Sequence, residues 1–599
     1  MGHMEKVSDM DLIIDQPHFY FPHHPVLRPD STSTKLRTVF NGSAATSSGL
    51  SLNDVLLTGP TIQQDIFNIL LRFRCHKVVL TGDIQKMFRQ IMVHKDDRNL
   101  QLILWRFSTE QAVHTYRLNT VTYGTCSAPY LAARCLHQLG KEFQQVYPEA
   151  CKIILNDFYM DDVVTGHEDN IELMRIKQEL VTIFTSAGFE LHKWKSNEIS
   201  ITKKGDGDEI SKILGILWNT TSDSLGYAKD IDEQAGTTKR NILSEVQKIF
   251  DPLGIVSPIV VLGKIIMQDI WSIKVKWDEE LPTNIISEWK RFCYQLKDIE
   301  RIEFPRHVRS KAKIVEIHGF SDAAKRAYGA AIYIRTVSED DSVKVSLLCA
   351  KSRVTPTSEN GNLEDVTIPR MELRAASLLV DLTTKVMDSL SILINGIHYW
   401  TDSMVTLEWL RNPNRSRPAF ISNRVKAINE KTSITSWHHV RSKDNPADLI
   451  SRGASARKLL ACTNWWNGPT FLTEHNQHWP LECNTAVCSM VTTQEEVTGE
   501  TIRVAHKKII VWTQWRYYEK EMSCLTTNKL IPSSSTLLTL NPFVDSDGLM
   551  RVRGRIQAAG VSYDQQHPII LPPKSNLTLT IIRHYHTINL HVGMQSLPE

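Results

Sequence analysis

Residues 153–166 read I-I-L-N-D-F-Y-M-D-D-V-V-T-G, so Asp161 and Asp162 place two carboxylates side by side between apolar runs. The bland reading is a solvated turn, because Asp forms turns well and strands poorly. Here Ile153–Leu155 and Val163–Val164 suit strands on both sides. Two carboxylates at the tip of such a hairpin raise each other's pKa unless a cation intervenes. Mg²⁺, held through one or two carboxylates plus substrate phosphates, is the natural one. A third carboxylate lies upstream. In K-V-V-L-T-G-D-I-Q-K-M-F-R-Q-I, residues 77–91, Asp83 follows the strand-like Val78–Leu80. Alone, Asp83 reads as a turn or cap residue. With the pair, it supplies the donors of two-metal phosphoryl transfer, in which ions about 4 Å apart hold the attacking and leaving oxygens.

Four more carboxylates follow in the order Asp, Glu, Asp, Asp. G-F-S-D-A-A puts Asp322 at a strand end, and I-P-R-M-E-L-R-A-A puts Glu372 in the first turns of a helix. Y-W-T-D-S puts Asp402 after a strand, and D-N-P-A-D-L-I-S-R-G puts Asp448 at a helix start. Taken singly, they read as turn residues, a charge favourable near a helix N-terminus, and an N-cap.

The elements that must hold these residues are α/β in pattern. The 599 residues suffice for about three to five domains. Apolar content of 42% and charged content of 23% are ordinary for globular protein. A net charge of +3 gives no global basic bias, so nucleic-acid binding would use local patches. The ten cysteines include no C-x-x-C pair, which argues against a disulfide scaffold or a zinc ribbon. No signal peptide is evident, and Gly254–Met267 is too short to span a bilayer.

Residues 1–17 read as a tail or fragment, and 18–230 alternate strands with amphipathic helices. Residues 231–312 are mainly helical, with a stop at Asp251-Pro252. Strands return over 313–460, and 461–545 reads as a linker, rich in Thr, Asn, Trp and His at its start. A folded pattern resumes over 546–599.

F-Y-M-D-D resembles the Y-x-D-D box of reverse transcriptases, and L-T-G-D-I-Q-K-M-F-R-Q-I resembles their first palm motif. The fuller set resembles the BEL/Pao family of long-terminal-repeat retrotransposon polyproteins. It comprises P-H-H-P-V-L-R-P-D-S-T-S-T-K-L-R-T-V-F-N-G-S, S-L-N-D-V-L-L-T-G-P-T, K-I-F-D-P-L-G-I-V-S-P and W-W-N-G-P-T-F-L, spread from residue 18 to the C-terminus. The resemblance implies a multidomain α/β (α+β) chain. Right-hand fingers and palm (18–230) and a thumb or connection (231–312) would precede a ribonuclease H-like fold (313–460) and an incomplete, helical integrase zinc-binding segment (546–599).

It further implies Asp83, Asp161 and Asp162 as a metal-binding triad and Arg37 as the contact to the incoming triphosphate. Phe88 would block a ribose 2′-hydroxyl, Gly124 would shape the template–nucleotide loop, and Lys193 would lie near the leaving pyrophosphate. Asn41 stands where the family usually has Asp. Asp322, Glu372, Asp402 and Asp448 resemble the ribonuclease H carboxylates, with no clear counterpart of a catalytic histidine. Two Mg²⁺ ions per site, or Mn²⁺, would serve as cofactors. RNA template, DNA primer, RNA–DNA hybrid and deoxynucleotide triphosphates would be the partners, with no membrane. The implied location is cytoplasmic, in retrotransposon particles, with a nuclear step.

H-Y-H-T-I-N-L-H-V-G offers His586 and His591 as half of an integrase zinc site whose Cys pair is missing. His475, His478, Cys483 and Cys488 match no zinc module by spacing. Two other readings stand beside the polymerase. One is a Pao-type peptidase by family label, although no Asp-Thr/Ser-Gly tripeptide occurs. The other is a catalytically silent relic that binds nucleic acid.

Overall fold

The computed structural model describes residues 2–8, 17–27, 29, 35–201, 209–228, 236–309, 311–357, 367–390, 392–480, 499–527, 529–553, 563–573, 575 and 577–582. They divide into two units, Met1–Cys483 and Asn484–Glu599.

In the first unit, Asp65 caps helix α1 (Ile66–Cys75) by accepting from the Phe67 amide at 2.9 Å. Buried Ile69, Leu70 and Phe73 then seat the helix on the sheet beneath it. Strand β1 (Val78–Ile84) opens with the apolar run Val78–Leu80 and is buried on both faces apart from half-buried Asp83, as a central strand requires. β2 (Phe158–Tyr159) and β3 (Asp162–His167) form a tight hairpin, helix α2 (Asn170–Ser186) crosses back, and β4 (Leu191–Ser196) returns. The sheet order is β2-β3-β1-β4. Gly82 gives the indole of Trp194 its seat, since a Cβ there would sit 2.8 Å from the ring. Ahead of this sheet, His23–Leu27 pairs with Leu36–Phe40. Met4–Lys6, expected in a tail, pairs with His114–Leu118 instead.

Helices α3 (Lys239–Gln247), α4 (Ser257–Ser272) and α5 (Thr283–Gln295) occupy the region read as thumb or connection. Five strands follow: β5 (Ile314–Ala323), β6 (Ala327–Val337) and β7 (Val343–Val354), then, beyond helix α6 (Ile368–Ser389), β8 (Gly396–Thr401) and β9 (Trp437–His439). The order is β7-β6-β5-β8-β9, with β5 and β8 parallel. β6 is buried at all its positions. Helix α7 (Asp448–Arg452) packs at the β5 end, and its Ile450 occupies the space that a Cβ on Gly329 would need.

Residues 461–479, the start of the expected linker, belong to this core. Trp465 and Leu472 are fully buried, and the Tyr333 hydroxyl donates to the Trp465 carbonyl at 2.8 Å. Arg335 donates from Nε to the Leu472 carbonyl at 2.7 Å and from Nη2 to the Glu474 carbonyl at 3.1 Å. One continuous core of the first unit runs from α1 through α3–α5 into the five-stranded sheet, beside a separate cluster around Ile84, Phe158 and Phe184. The DPLG segment fastens it. Gly254 has φ +73°, and a Cβ there would lie 1.7 Å from the Ala350 carbonyl of β7, so only glycine fits.

In the second unit, Met522, Leu537, Met550 and Ile570 form a small core beside the strand pair Pro542–Val544 and Met550–Val552. Its described α-helices are Gly499–Tyr517, Glu519–Thr526 and Tyr563–Gln566.

Candidate active sites

Asp83 and Asp162 are cross-strand partners in the antiparallel β1–β3 pair. Asp161 stands in the two-residue turn between β2 and β3, and its carbonyl accepts from the Ile84 amide at 2.8 Å. The first turn residue, Met160, has φ +54°, a sign that two-residue hairpins use to follow the sheet's twist. Turn and ladder together hold three carboxylates at one end of the sheet's inner strands.

Lys193 Nζ lies 2.8 Å from Asp83 Oδ2, and His192 Nε2 lies 3.4 Å from the same oxygen. This does not balance the charge. Burial, with the charges of Asp161 and Asp83, pushes the Asp162 carboxyl up to about 7. Asp161 is also raised, by desolvation and by Asp83, against the opposing pull of Lys193 and Arg37. Crowded hard oxygen donors with surplus negative charge fit a divalent cation such as Mg²⁺.

The other residues implied for this site lie around it. Arg37, on Leu36–Phe40, is exposed and close enough to act on Asp161. Gly124 has φ +102°, and a Cβ there would sit 2.2 Å from the Phe40 carbonyl. Its loop is braced by Asn53, whose Nδ2 donates to the Gly124 carbonyl at 3.1 Å and whose Oδ1 accepts from the Cys126 amide at 2.8 Å. Asn53 sits in the S-L-N-D-V-L-L run, whose pattern assigns it no role; only its partners reveal it. Phe88 packs, half-buried, against the buried cluster that holds Ile84 and Met87. Asn41 Oδ1 closes a local turn by accepting from the Ser43 amide at 3.0 Å.

The second carboxylate group forms at the ends of β5 and β8. Ser321 and Thr401 are partners in the parallel ladder, so Asp322 and Asp402 emerge at neighbouring strand ends. Asp322 is 7% exposed and accepts from the Ser451 hydroxyl of α7. Burial, then the charges of Asp402 and Asp448, push it up to about 7. Glu372, on α6, accepts from the Ser403 hydroxyl and is raised by burial and by Asp402. Asp402 Oδ2 accepts from Ser442 Oγ at 2.5 Å, while its Oδ1 is buried with no hydrogen-bond partner. A carboxylate oxygen left without a donor among other carboxylates again fits a cation. Asp448 opens α7 and pairs with Arg452 Nε at 2.5 Å.

The three serine partners have no signal in the sequence, because hydroxyls are common and spacing says nothing about which carboxylate they meet. His439 has none either. Its ring meets the Asp402 backbone carbonyl, and burial lowers its pKa against the opposing charge of Asp402.

Elsewhere, Glu316, His318 and His398 bring ligand-type atoms within 4.8 Å of one another. Their hydrogen bonds argue against a metal. Trp400 Nε1, which can only donate, meets His318 Nδ1 at 3.2 Å. Neutral His318 therefore carries its proton on Nε2, the atom a metal would need, and that proton faces Glu316 Oε2 at 3.6 Å. Arg335 Nη1 already holds the same oxygen at 2.7 Å. This is a hydrogen-bonded core network.

His586, His591, Cys483 and Cys488 lie outside the described residues. His475 caps a short turn by accepting from the Gln477 amide.

Residues 36–229 match the family model described as reverse transcriptase (RNA-dependent DNA polymerase). Residues 238–403 match the Pao retrotransposon-like RNaseH-like domain. The first match contains Arg37, Asp83, Phe88, Gly124, Asp161, Asp162 and Lys193; the second contains Asp322, Glu372 and Asp402. No curated protein matches the sequence. Similar solved structures include three of foamy viral protease-reverse transcriptase. The dRH form with double-stranded DNA is 15% identical at a TM-score of 0.45, covering 74% of this chain and 67% of that one. The complex with RNA/DNA hybrid is 14% identical at 0.41, covering 74% and 51%. A further complex with double-stranded DNA is 14% identical at 0.44, covering 74% and 79%.

Proposed function

We infer, from a reverse transcriptase domain followed by a Pao retrotransposon-like RNaseH-like domain, that this chain is an RNA-directed DNA polymerase with ribonuclease H activity of the Pao retrotransposon type. The observation that carries the polymerase reading is the Asp83–Asp162 pairing with Asp161 at the adjacent turn. All three carboxylates fall inside the matched reverse transcriptase region.

Asp83, Asp161 and Asp162 would hold Mg²⁺, which when bound supplies charge neutralisation for a triphosphate and its pyrophosphate leaving group. The chain's own groups do the rest. Lys193, on the neighbouring strand, offers an ammonium beside Asp83. Arg37 offers a guanidinium to the same region, suited to bidentate phosphate contact. The Gly124 loop, held close to the Phe40 backbone by having no Cβ, keeps the fingers strand against the palm.

In the second site, Asp322, Glu372, Asp402 and Asp448 would take the cation, and the Ser451, Ser403 and Ser442 hydroxyls orient three of the four carboxylates. Its substrate is the RNA strand of the hybrid that the first site makes. RNA template, DNA primer and deoxynucleotide triphosphates are the partners. No helix among the described residues is long and apolar enough to cross a membrane.

Primer extension on an RNA template, comparing the chain with an Asp161→Asn, Asp162→Asn double variant, tests the polymerase. Extension that vanishes in the folded variant supports it. A folded wild-type chain that extends nothing would leave the relic reading.

A further inference from the structure

Arg89 stands one residue beyond Phe88, in the short helix Met87–Gln90 that follows β1. Lys86 opens this helix at φ +50°, a left-handed conformation that residues other than glycine adopt at a cost and that clusters at functional sites. Successive helical residues point about 100° apart. Phe88 accordingly packs against the cluster that holds Ile84 and Met87, whereas Arg89 reaches Phe40 and Tyr123, which belong to a separate cluster with Phe19 and Phe21.

Among the described residues, only ring faces hold the Arg89 guanidinium. Its Cζ lies 5.3 Å from the Phe40 centroid and 5.0 Å from the Tyr123 centroid. The two rings meet each other edge to face, with centroids 5.5 Å apart. Arg89 Nη1 is buried without a hydrogen-bond partner, and no ion pair among the described residues takes up the charge. An arginine that simply joins two bodies directs its donors at acceptors. Fully buried Arg306 does so, giving its own to the Phe73, His76 and Lys77 carbonyls and to Asp223. A guanidinium held by ring faces depends instead on the planes of those rings, and the contact is lost when a ring turns away.

Through Tyr123 that dependence reaches the polymerase site. The Val121 amide donates to the Ile91 carbonyl at 2.9 Å and ties this segment to the chain just beyond Arg89. Gly124 follows at φ +102°, packed on the Phe40 carbonyl. Tyr123 thus lies between a fixed backbone bond and a fixed glycine, with its ring placed against Phe40 and Arg89. One guanidinium thereby connects the residue after Phe88, the fingers strand and the Gly124 loop.

We propose that Arg89 is a positioning residue for nucleotide selection: it holds Tyr123, and with it the Gly124 loop, at the distance from Phe88 that admits a deoxyribose and refuses a ribose. The assignment rests on the polymerase reading above, with Phe88 set against the sugar and the Gly124 loop against the nucleotide and template.

The test uses the full chain with Mg²⁺, a primer on an RNA template, and deoxynucleotides or ribonucleotides added singly. Arg89→Met keeps the stem and removes the charge and the plane, whereas Arg89→Lys keeps the charge. Both are compared with Tyr123→Leu and with the Arg89→Met, Tyr123→Leu double variant, after matched melting curves. In Arg89→Met the deoxynucleotide KM should rise at least about five-fold with kcat within about two-fold, and the deoxynucleotide-over-ribonucleotide ratio of kcat/KM should fall at least about five-fold. Arg89→Lys should recover part of both changes. Tyr123→Leu should reproduce them, and the double variant should add nothing to either single one, the signature of a shared contact. Primer–template affinity in chelator and RNA cleavage in a preformed hybrid should stay near the parent's.

Unchanged KM and selectivity in Arg89→Met, with parent extension intact, would overturn the proposal. Single effects that multiply in the double variant would overturn it as well, as would a joint fall in kcat and RNA cleavage, which marks a general loss of structure. Should Arg89→Met fail to match the parent's melting curve, Tyr123→Leu carries the same expectation, and unchanged selectivity there is equally decisive against it. A parent chain that extends no primer overturns the polymerase reading itself, and this assignment falls with it.

Discussion

Asp83 and Asp162 face each other across an antiparallel ladder, in a register that one residue of slip would destroy. Burial and the charges of Asp161 and Asp83 together disfavour the Asp162 carboxylate, a cost that a cation or a proton relieves. Without metal, the folded state holds the Asp162 proton up to about 7, whereas an ordinary aspartate releases it near 3.8. The penalty is therefore absent below about pH 4 and complete above about pH 7. Each pKa unit is worth about 1.4 kcal/mol, reduced by coupling and solvent to roughly 1–3 kcal/mol in total. Asp162→Asn should raise Tm at pH 8 in chelator, with the gain fading towards pH 4, while primer extension falls at least about 100-fold. Thermal melts at both pH values check the sign, and an unchanged Tm at pH 8 would contradict it.

The two sites should be separable by substitution. Gly124→Ala drives a Cβ to within 2.2 Å of the Phe40 carbonyl and forces φ +102° on a residue that resists it. Primer extension should drop at least about ten-fold while RNA cleavage in a preformed hybrid stays within two-fold. Asp322→Asn should do the reverse. Parallel assays on one preparation decide it, and joint loss of both activities in either variant would refute separate sites.

Arg306 joins the palm to the rest of the first unit and is fully buried. Its Nη1 donates to the Phe73 carbonyl at 2.5 Å and the His76 carbonyl at 2.7 Å. Its Nη2 donates to the Lys77 carbonyl at 3.1 Å and to Asp223 Oδ2 at 2.7 Å, and its Nε to Asp223 Oδ1 at 2.6 Å. All five guanidinium donors are thus used, several on carbonyls at the end of α1 that the helix cannot satisfy itself. Arg306→Met should cost about 3–5 kcal/mol by leaving the buried carbonyls without their donor and half-buried Asp223 without its cation. Arg306→Lys, with three donors, should recover less than half. Urea unfolding measures both, and a loss under about 1 kcal/mol would show that the clamp is dispensable.

The sequence shows the seven carboxylates because each sits at an element end marked by its own short motif. It also marks Val78–Leu80 as strand-like, while the place of β1 inside the sheet is set by its pairing partners. It does not show Ser451, Ser403 and Ser442, whose partners are set by strand order. Residues 461–479 escape for a related reason. Their short turns have no period, yet Trp465 and Leu472 bury completely because Arg335 and Tyr333 anchor the backbone around them.

That covering segment predicts a pH response. Trp479 lies edge-on over His318 and His398, with ring centroids 5.0 and 4.9 Å away. Burial lowers the pKa of His398 to about 4. A histidine whose folded pKa is depressed favours the folded state above its ordinary 6.5, and that contribution is lost as pH falls towards 4. Glu316 does not compensate. Although burial opposes it, the His318 ring beside it and the Arg335 hydrogen bond hold its carboxyl down at about 2, so it stays charged across this window. Acidification from pH 7 to 4.5 should therefore loosen residues 461–479 by roughly 1–3 kcal/mol, read as a red shift in tryptophan fluorescence. His398→Gln, which cannot be protonated, should flatten that response. Stoichiometric Zn²⁺ should leave Tm unchanged, because Trp400 fixes the His318 proton on the atom a metal would need. A Zn²⁺-dependent rise in Tm that disappears in His398→Gln would show that the network rearranges into a metal site after all.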